Sequence, residues 1–112
     1  MKLGHIYLVN LPQISGHEQM GKRPALIVQE AEYNLRTLLI VPLTTKIKAL
    51  DFAGTISIKP DERNHLDKES VALAFQLRAI DRKRLSKKMG ELRVDQLTKL
   101  QSLIKELLGM RD

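Results

Sequence analysis

The apolar pattern of this chain changes period once, and that change constrains the fold more than any other feature. Between residues 4 and 80, apolar residues fall in short runs or alternate, rich in β-branched types and punctuated by Gly, Pro and Asn, which is the pattern of strands. After residue 93 they recur differently. Val94, Leu97, Leu100, Leu103, Ile104, Leu107 and Leu108 lie three and four apart, with Lys99, Gln101, Lys105 and Glu106 between them. That spacing puts one apolar stripe on an amphipathic helix, and Gly109 is placed to end it. The expected class is mainly β (α+β), with a single late helix whose leucine stripe packs against the strands.

Within the first 80 residues, HIYLVNL reads as a strand broken at Leu11-Pro12, because proline cannot donate to a ladder. The polar segment QISGHEQMGKR, with two glycines, leads into PALIVQ, an unbroken apolar run of the kind found in a central strand. AEYNLR is read as the turn of a hairpin completed by TLLIVPL, and TTKIKALDF as an exposed loop. In GTISIK, Ile56 and Ile58 alternate with Thr55, Ser57 and Lys59, a strand with one wet face. PDERNHLDKE is a polar connection, and SVALAFQLRAI returns as one long or bent strand. Short strands at this spacing predict a small barrel or sandwich. The 112 residues correspond to one domain, residues 1–112, long enough to bury roughly two thirds of its unfolded surface. The longest apolar stretch, 38–43, contains Pro42, and the opening apolar run is interrupted at Asn10 and Pro12. Neither suits a membrane span or a signal sequence, so no membrane partner and a cytoplasmic location are expected.

Cysteine is absent, which removes disulfides, thiolate nucleophiles and cysteine-held metals together. Lys and Arg number 19 against 13 Asp and Glu, net +6. Residues 81–93 (DRKRLSKKMGELR) hold six basic and two acidic side chains, so two thirds of the surplus sits in thirteen residues. The cluster admits two readings, a solvated lysine-rich surface beside a turn or a site for a polyanion such as nucleic acid. Tyr7, Tyr33, Phe52 and Phe75 are the only aromatics, which argues against a reader that stacks bases on a ring platform.

Several chemistries are excluded by spacing. His5, His17 and His65 stand far apart with no i+3 or i+4 pairing, so no metal site is expected. Gly16 and Gly21 lie between two strands, with no helix to receive a phosphate. Two segments remain. The stretch from Gly16 to Pro24 gathers His17, Glu18, Gln19, Lys22 and Arg23, as a polar hairpin loop or as a site. Pro24 biases Arg23 towards extended backbone, which sets its guanidinium at a strand edge. Thr44 and Thr45 follow the TLLIVPL run, as loop caps or as hydroxyl donors.

At these residues the chain resembles the MazF/PemK family of toxin endoribonucleases. GHIYLVNLPQISGHEQMGKRPALIVQ is similar to the family's opening, with GHEQMGKRP matching its Gly-Ser/His-Glu-Gln-x-Gly-x-Arg-Pro motif. IVPLTTK resembles the second motif, SVALAFQLRAID the third, and GELRVDQLTKLQSLIKELLGM the closing helix, so the likeness runs from residue 4 to 109. The resemblance implies a small SH3-like β-barrel with a C-terminal helix, assembled as a homodimer. It implies metal-free, cofactor-free cleavage of single-stranded RNA through attack of a ribose 2′-OH, and neutralisation by an acidic antitoxin. Carried over by motif, the catalytic pair would be Arg23 and Thr44. Lys22, Gln19, Thr45, Gln76 and Arg78 would contact RNA.

Those residue types suit the reaction. The five-coordinate phosphorane carries extra negative charge on its nonbridging oxygens, and a guanidinium can donate two parallel hydrogen bonds to them. A threonine hydroxyl adds a neutral donor. The chain departs from several members of the family in the third motif, where those relatives carry Asp or Glu immediately before the Gln. Phe75 stands there, Leu73 where some relatives have Arg, and His5 replaces the acidic residue after the first glycine. His17 and Glu18 are the substitutes, as general base or as support for the loop. A catalytically weakened barrel that binds RNA or antitoxin is the alternative reading. A CcdB-like gyrase poison ranks lower, because the chain ends LLGMRD without tryptophan.

Overall fold

The computed structural model describes residues 2–12, 21–30 and 36–110. Seven strands and one helix follow in order: β1 (His5–Leu11), β2 (Gly21–Ile27), β3 (Thr37–Thr44), β4 (Thr55–Ile58), β5 (Ser70–Leu73), β6 (Arg78–Asp81), β7 (Leu85–Glu91) and α1 (Val94–Leu107). Every ladder is antiparallel, in the order β4-β5-β3-β2-β1-β7, and β6 also pairs with β3. The mainly β class with a closing helix is as the sequence predicts. The sheet is open, with β4 and β7 at its two ends.

The central strands explain why their sequences are apolar throughout. Successive side chains point to opposite faces, and both faces are covered. Ile6, Leu26, Val41 and Leu43 join one buried cluster with Ile58, Ala72, Leu92 and Leu100. Val9, Leu11, Ala25, Ile27, Leu38 and Ile40 join a second with Ile80. Neighbours such as Leu26 and Ile27 thus serve different clusters.

Three expectations need correction. SVALAFQLRAI is two strands, β5 and β6, separated by a 3-10 turn at Ala74–Gln76. β5 pairs Val71 with Thr44 and Ala72 with Leu43, whereas β6 pairs Arg78 with Ile40. Three steps along β3 are therefore matched by six steps of the returning chain, and the surplus is looped outward. Residues 85–91, read as part of a basic cluster that is either a solvated surface beside a turn or a polyanion site, form β7, paired with β1 through a register that shifts twice. Lysines and irregular register at an outer strand discourage pairing with another chain. In α1, Leu100 is fully buried and Leu97, Leu103 and Ile104 pack partly, but Val94, Leu107 and Leu108 are exposed. The apolar cluster beneath the helix meets only the middle of its stripe.

The polar connection before β5 has its own order. Asp61 Oδ1 accepts the N–H groups of Arg63 (2.9 Å) and Asn64 (2.8 Å). Asn64, fully buried, accepts at Oδ1 from Asp61 N (3.1 Å) and Leu66 N (3.0 Å), and its Nδ2 donates to the Lys59 carbonyl (2.9 Å). Gly90 of β7 lies against this turn so closely that a Cβ there would come within 2.4 Å of the Arg63 carbonyl oxygen.

Candidate active site

The apolar run of β3 ends at Thr44, which is 4% exposed, and the chain then leaves the sheet. Lys46 N–H donates to Thr44 Oγ1 (3.2 Å), a local turn bond that occupies an acceptor site and leaves the hydroxyl its own hydrogen to donate. Beyond it, Ile47–Asp51 forms a 3-10 turn rather than an open loop. This turn, the end of β3 and the outward turn at Ala74–Gln76 enclose a cavity of about 870 Å³. Thr44, Lys46, Lys48 and Asp51 contribute its polar lining, and Phe52, Phe75 and Gln76 face them.

Arg23 lies in β2 opposite Val9 and is half-buried, with Lys22 exposed opposite Asn10. The β2–β3 ladder pairs Ile27 with Ile40, Leu26 with Val41 and Ala25 with Pro42. The ladder ends there: Leu43 and Thr44 pair with Ala72 and Val71 of β5 instead, so Arg23 and Thr44 lie on adjacent strands beyond the last β2–β3 pair. Thr45 is exposed beside Thr44, Gln76 lines the cavity, and Arg78 opens β6 opposite Ile40. His17, Glu18 and Gln19 lie outside the described residues.

Sequence reasoning missed Lys46, Lys48 and Phe52, all in a segment read as plain loop. The alternation of lysines directly after Thr44-Thr45 is the signal that could have found them. The charge count points instead to the basic cluster at 81–93. Arg82–Arg84 forms a turn, and Lys87 and Lys88 sit on β7, at the other end of the strand order from β4, and neither lines the cavity.

An ionic cluster joins β7 to the connection between β4 and β5. Glu91 meets Arg63 Nη2 at 2.5 Å, His5 Nε2 at 3.5 Å and Lys88 Nζ at 3.7 Å. The hydrogen bond from Arg63 holds the Glu91 carboxyl below its ordinary range. Burial, followed by the Lys88 charge, pushes His5 below the usual imidazole value.

The sequence profile of PemK-like, MazF-like toxins of type II toxin–antitoxin systems matches residues 2–108. This chain belongs to the PemK/MazF toxin family. The likeness extends to solved structures. MazF from Deinococcus radiodurans (Form-I) is 31% identical, with a TM-score of 0.81 over 98% of this chain and 97% of that one. The MazE–MazF structure (Form-II) from the same organism gives 29% identity and a TM-score of 0.75, over 99% and 97%. A mycobacterial endoribonuclease in complex with its cognate antitoxin shares the fold at 20% identity, TM-score 0.77, over 100% and 98%. Among the described residues of this PemK/MazF chain, no helix is long and apolar enough to cross a membrane. Phe75 sits on the turn at Ala74–Gln76, 46% exposed, at the cavity wall.

Proposed function

We propose that this toxin is an endoribonuclease that cuts single-stranded RNA without a metal or other cofactor. The ribose 2′-OH attacks the adjacent phosphorus, the bond to the 5′-oxygen breaks, and the products carry 2′,3′-cyclic phosphate and 5′-OH ends. The observation that carries this reading is the cavity at the end of β3, lined by Thr44, Lys46, Lys48 and Gln76, with Arg23 half-buried on the adjacent strand β2. Arg23 would hold the nonbridging oxygens as their charge grows, with Thr44 donating to the same group. The 2′-OH proton needs an acceptor, and a phenyl ring at position 75 is none. Asp51 is the carboxylate on the cavity wall among the described residues. His17 and Glu18 are the acceptors the sequence offers, and the variants Asp51→Asn, His17→Ala and Glu18→Gln separate the three by their pH–rate profiles.

An acidic antitoxin and a homodimer belong to the same reading. The MazE–MazF and endoribonuclease–antitoxin complexes among structurally similar proteins support the first. The test is incubation with mixed-sequence RNA in EDTA, followed by analysis of the ends. The expected result is cyclic-phosphate products, with Arg23→Ala slower by about 10²–10³ while circular dichroism shows it still folded at the assay temperature. Intact RNA with the unaltered protein overturns the nuclease reading, and undiminished cutting by Arg23→Ala overturns the role of that residue.

A further inference from the structure

Half of the aromatic residues in this chain converge at one place. The rings of Phe52 and Phe75 have centroids 6.1 Å apart at an interplanar angle of 52°, and the side chains remain 64% and 46% exposed. Two neighbouring phenyl groups left in water are unusual where a core is available to take them. Their positions are built. Phe52 is seated by its own N–H to the Ala49 carbonyl (3.0 Å), and its carbonyl accepts from Thr55 Oγ1 (2.9 Å). Phe75 N–H donates to the Gly54 carbonyl (3.2 Å), which ties the two segments together. Gly54 has φ +78, and a Cβ there would come within 3.1 Å of Phe75 Cβ and 3.3 Å of Leu107 Cδ2. A side chain at position 54 would push Phe75 away, so glycine permits both the turn and the close approach.

The surroundings select the occupant. Beside the rings stand Lys46 and Lys48, both exposed, together with Gln76 and Thr44, and one carboxylate, Asp51. A flat apolar surface, cations, and an amide that both donates and accepts are what one nucleotide unit requires. Its base offers a π-face and a hydrogen-bonding edge, and its phosphate offers the anion. We propose that Phe52 and Phe75 form a base-binding clamp, on which an unpaired base of the RNA stacks while Lys46 and Lys48 hold the flanking phosphates. The replacement of a carboxylate by Phe75 then exchanges a charged group of the third motif for a stacking surface. The clamp deepens the nuclease reading and rests on RNA as the substrate.

The experiment separates the two. Binding is measured with a 2′-O-methyl single-stranded RNA, which cannot be cut because its nucleophile is blocked, carrying 2-aminopurine at successive positions. The unaltered protein quenches the probe at one or two adjacent positions. Phe52→Leu and Phe75→Leu keep apolar bulk and the melting temperature, lose that quenching, and bind at least about 5-fold more weakly, the lower end of what loss of a base–aromatic stack brings. Quenching at no position, or unchanged affinity in both variants, overturns the clamp. Unchanged RNA affinity with loss of self-association in sedimentation velocity assigns the rings to a contact between copies, and also overturns it. Failure of the nuclease reading shows separately, as intact unmodified RNA in EDTA while the quenching persists.

Discussion

Asn64 offers the sharpest check on how the turn between β4 and β5 supports β7. Replacing it with Ala removes one buried side chain and three hydrogen bonds, two accepted at Oδ1 and one donated from Nδ2. Leu66 N is buried, so its loss strands a donor away from water at about 1–3 kcal/mol. The bonds to Asp61 N and the Lys59 carbonyl are part-buried, and each contributes a net of about 0.5–1.5 kcal/mol. Asn64→Ala should therefore cost about 2–6 kcal/mol. With an unfolding entropy near 2.1 cal/mol/K per residue, each kcal/mol lowers the melting temperature of a chain this size by about 4 °C. A fall of about 8–25 °C is expected by circular dichroism, with the same ordering from urea midpoints. Gly90→Ala tests the same turn from its other side, because its Cβ would lie 2.4 Å from the Arg63 carbonyl oxygen and 2.6 Å from that of Asn64. Both contacts are backbone, so no side chain can swing away, and a comparable loss is expected. A loss below about 1 kcal/mol in both variants would refute the reasoning that this turn is a fixed support for β7.

Other outcomes follow from the same geometry. Leu100→Ala, in the fully buried centre of the α1 stripe, should cost about 2–5 kcal/mol, whereas Val94→Ala, 75% exposed, should cost little; equal urea midpoints would refute the partial docking of the helix. His5 binds its proton less readily in the folded chain than its ordinary value of 6.5 implies. The unfolded chain therefore holds more protons below that value, and stability should fall as the pH drops through about 6.5, a slope that His5→Gln should reduce. The depressed Glu91 carboxyl acts in a lower window, contributing stability above its ordinary value of 4.5 that is lost as the pH falls through its folded value. For RNA, Lys46→Gln with Lys48→Gln should shallow the dependence of log affinity on log salt by about 1.4, near 0.7 for each phosphate contact to a single strand. Lys87→Gln with Lys88→Gln should leave that slope unchanged, and the reverse result would return the substrate path to β7.

Much of the site was legible along the chain because its signals are local. Pro24 announces the extended backbone at Arg23, and the end of an apolar run announces Thr44 at the tip of a strand. What joins them is not local. Their strands are neighbours through pairs such as Ala25 with Pro42, and pairing between strands is set by turn geometry and by both buried faces together. The count of aromatics misled for a related reason, since four rings in 112 residues are sparse on average and say nothing about two of them meeting. Phe75 reads as one more apolar position of a continuous strand until β3 shows that three residues there have no partner.

The sequence by itself determined the succession of short strands, the closing helix and the apolar character of the central strands, because side-chain period and breaker residues act over a few neighbours. The tertiary structure alone decided that β5 and β6 are separate, that residues 85–91 pair as an edge strand, and that only the middle of the α1 stripe is covered. It also decided that Lys46, Lys48, Phe52 and Phe75 share one cavity. Each of these depends on which distant segment lies alongside. That choice minimises exposed apolar area and unpaired backbone over the whole chain at once, and no window of sequence contains it.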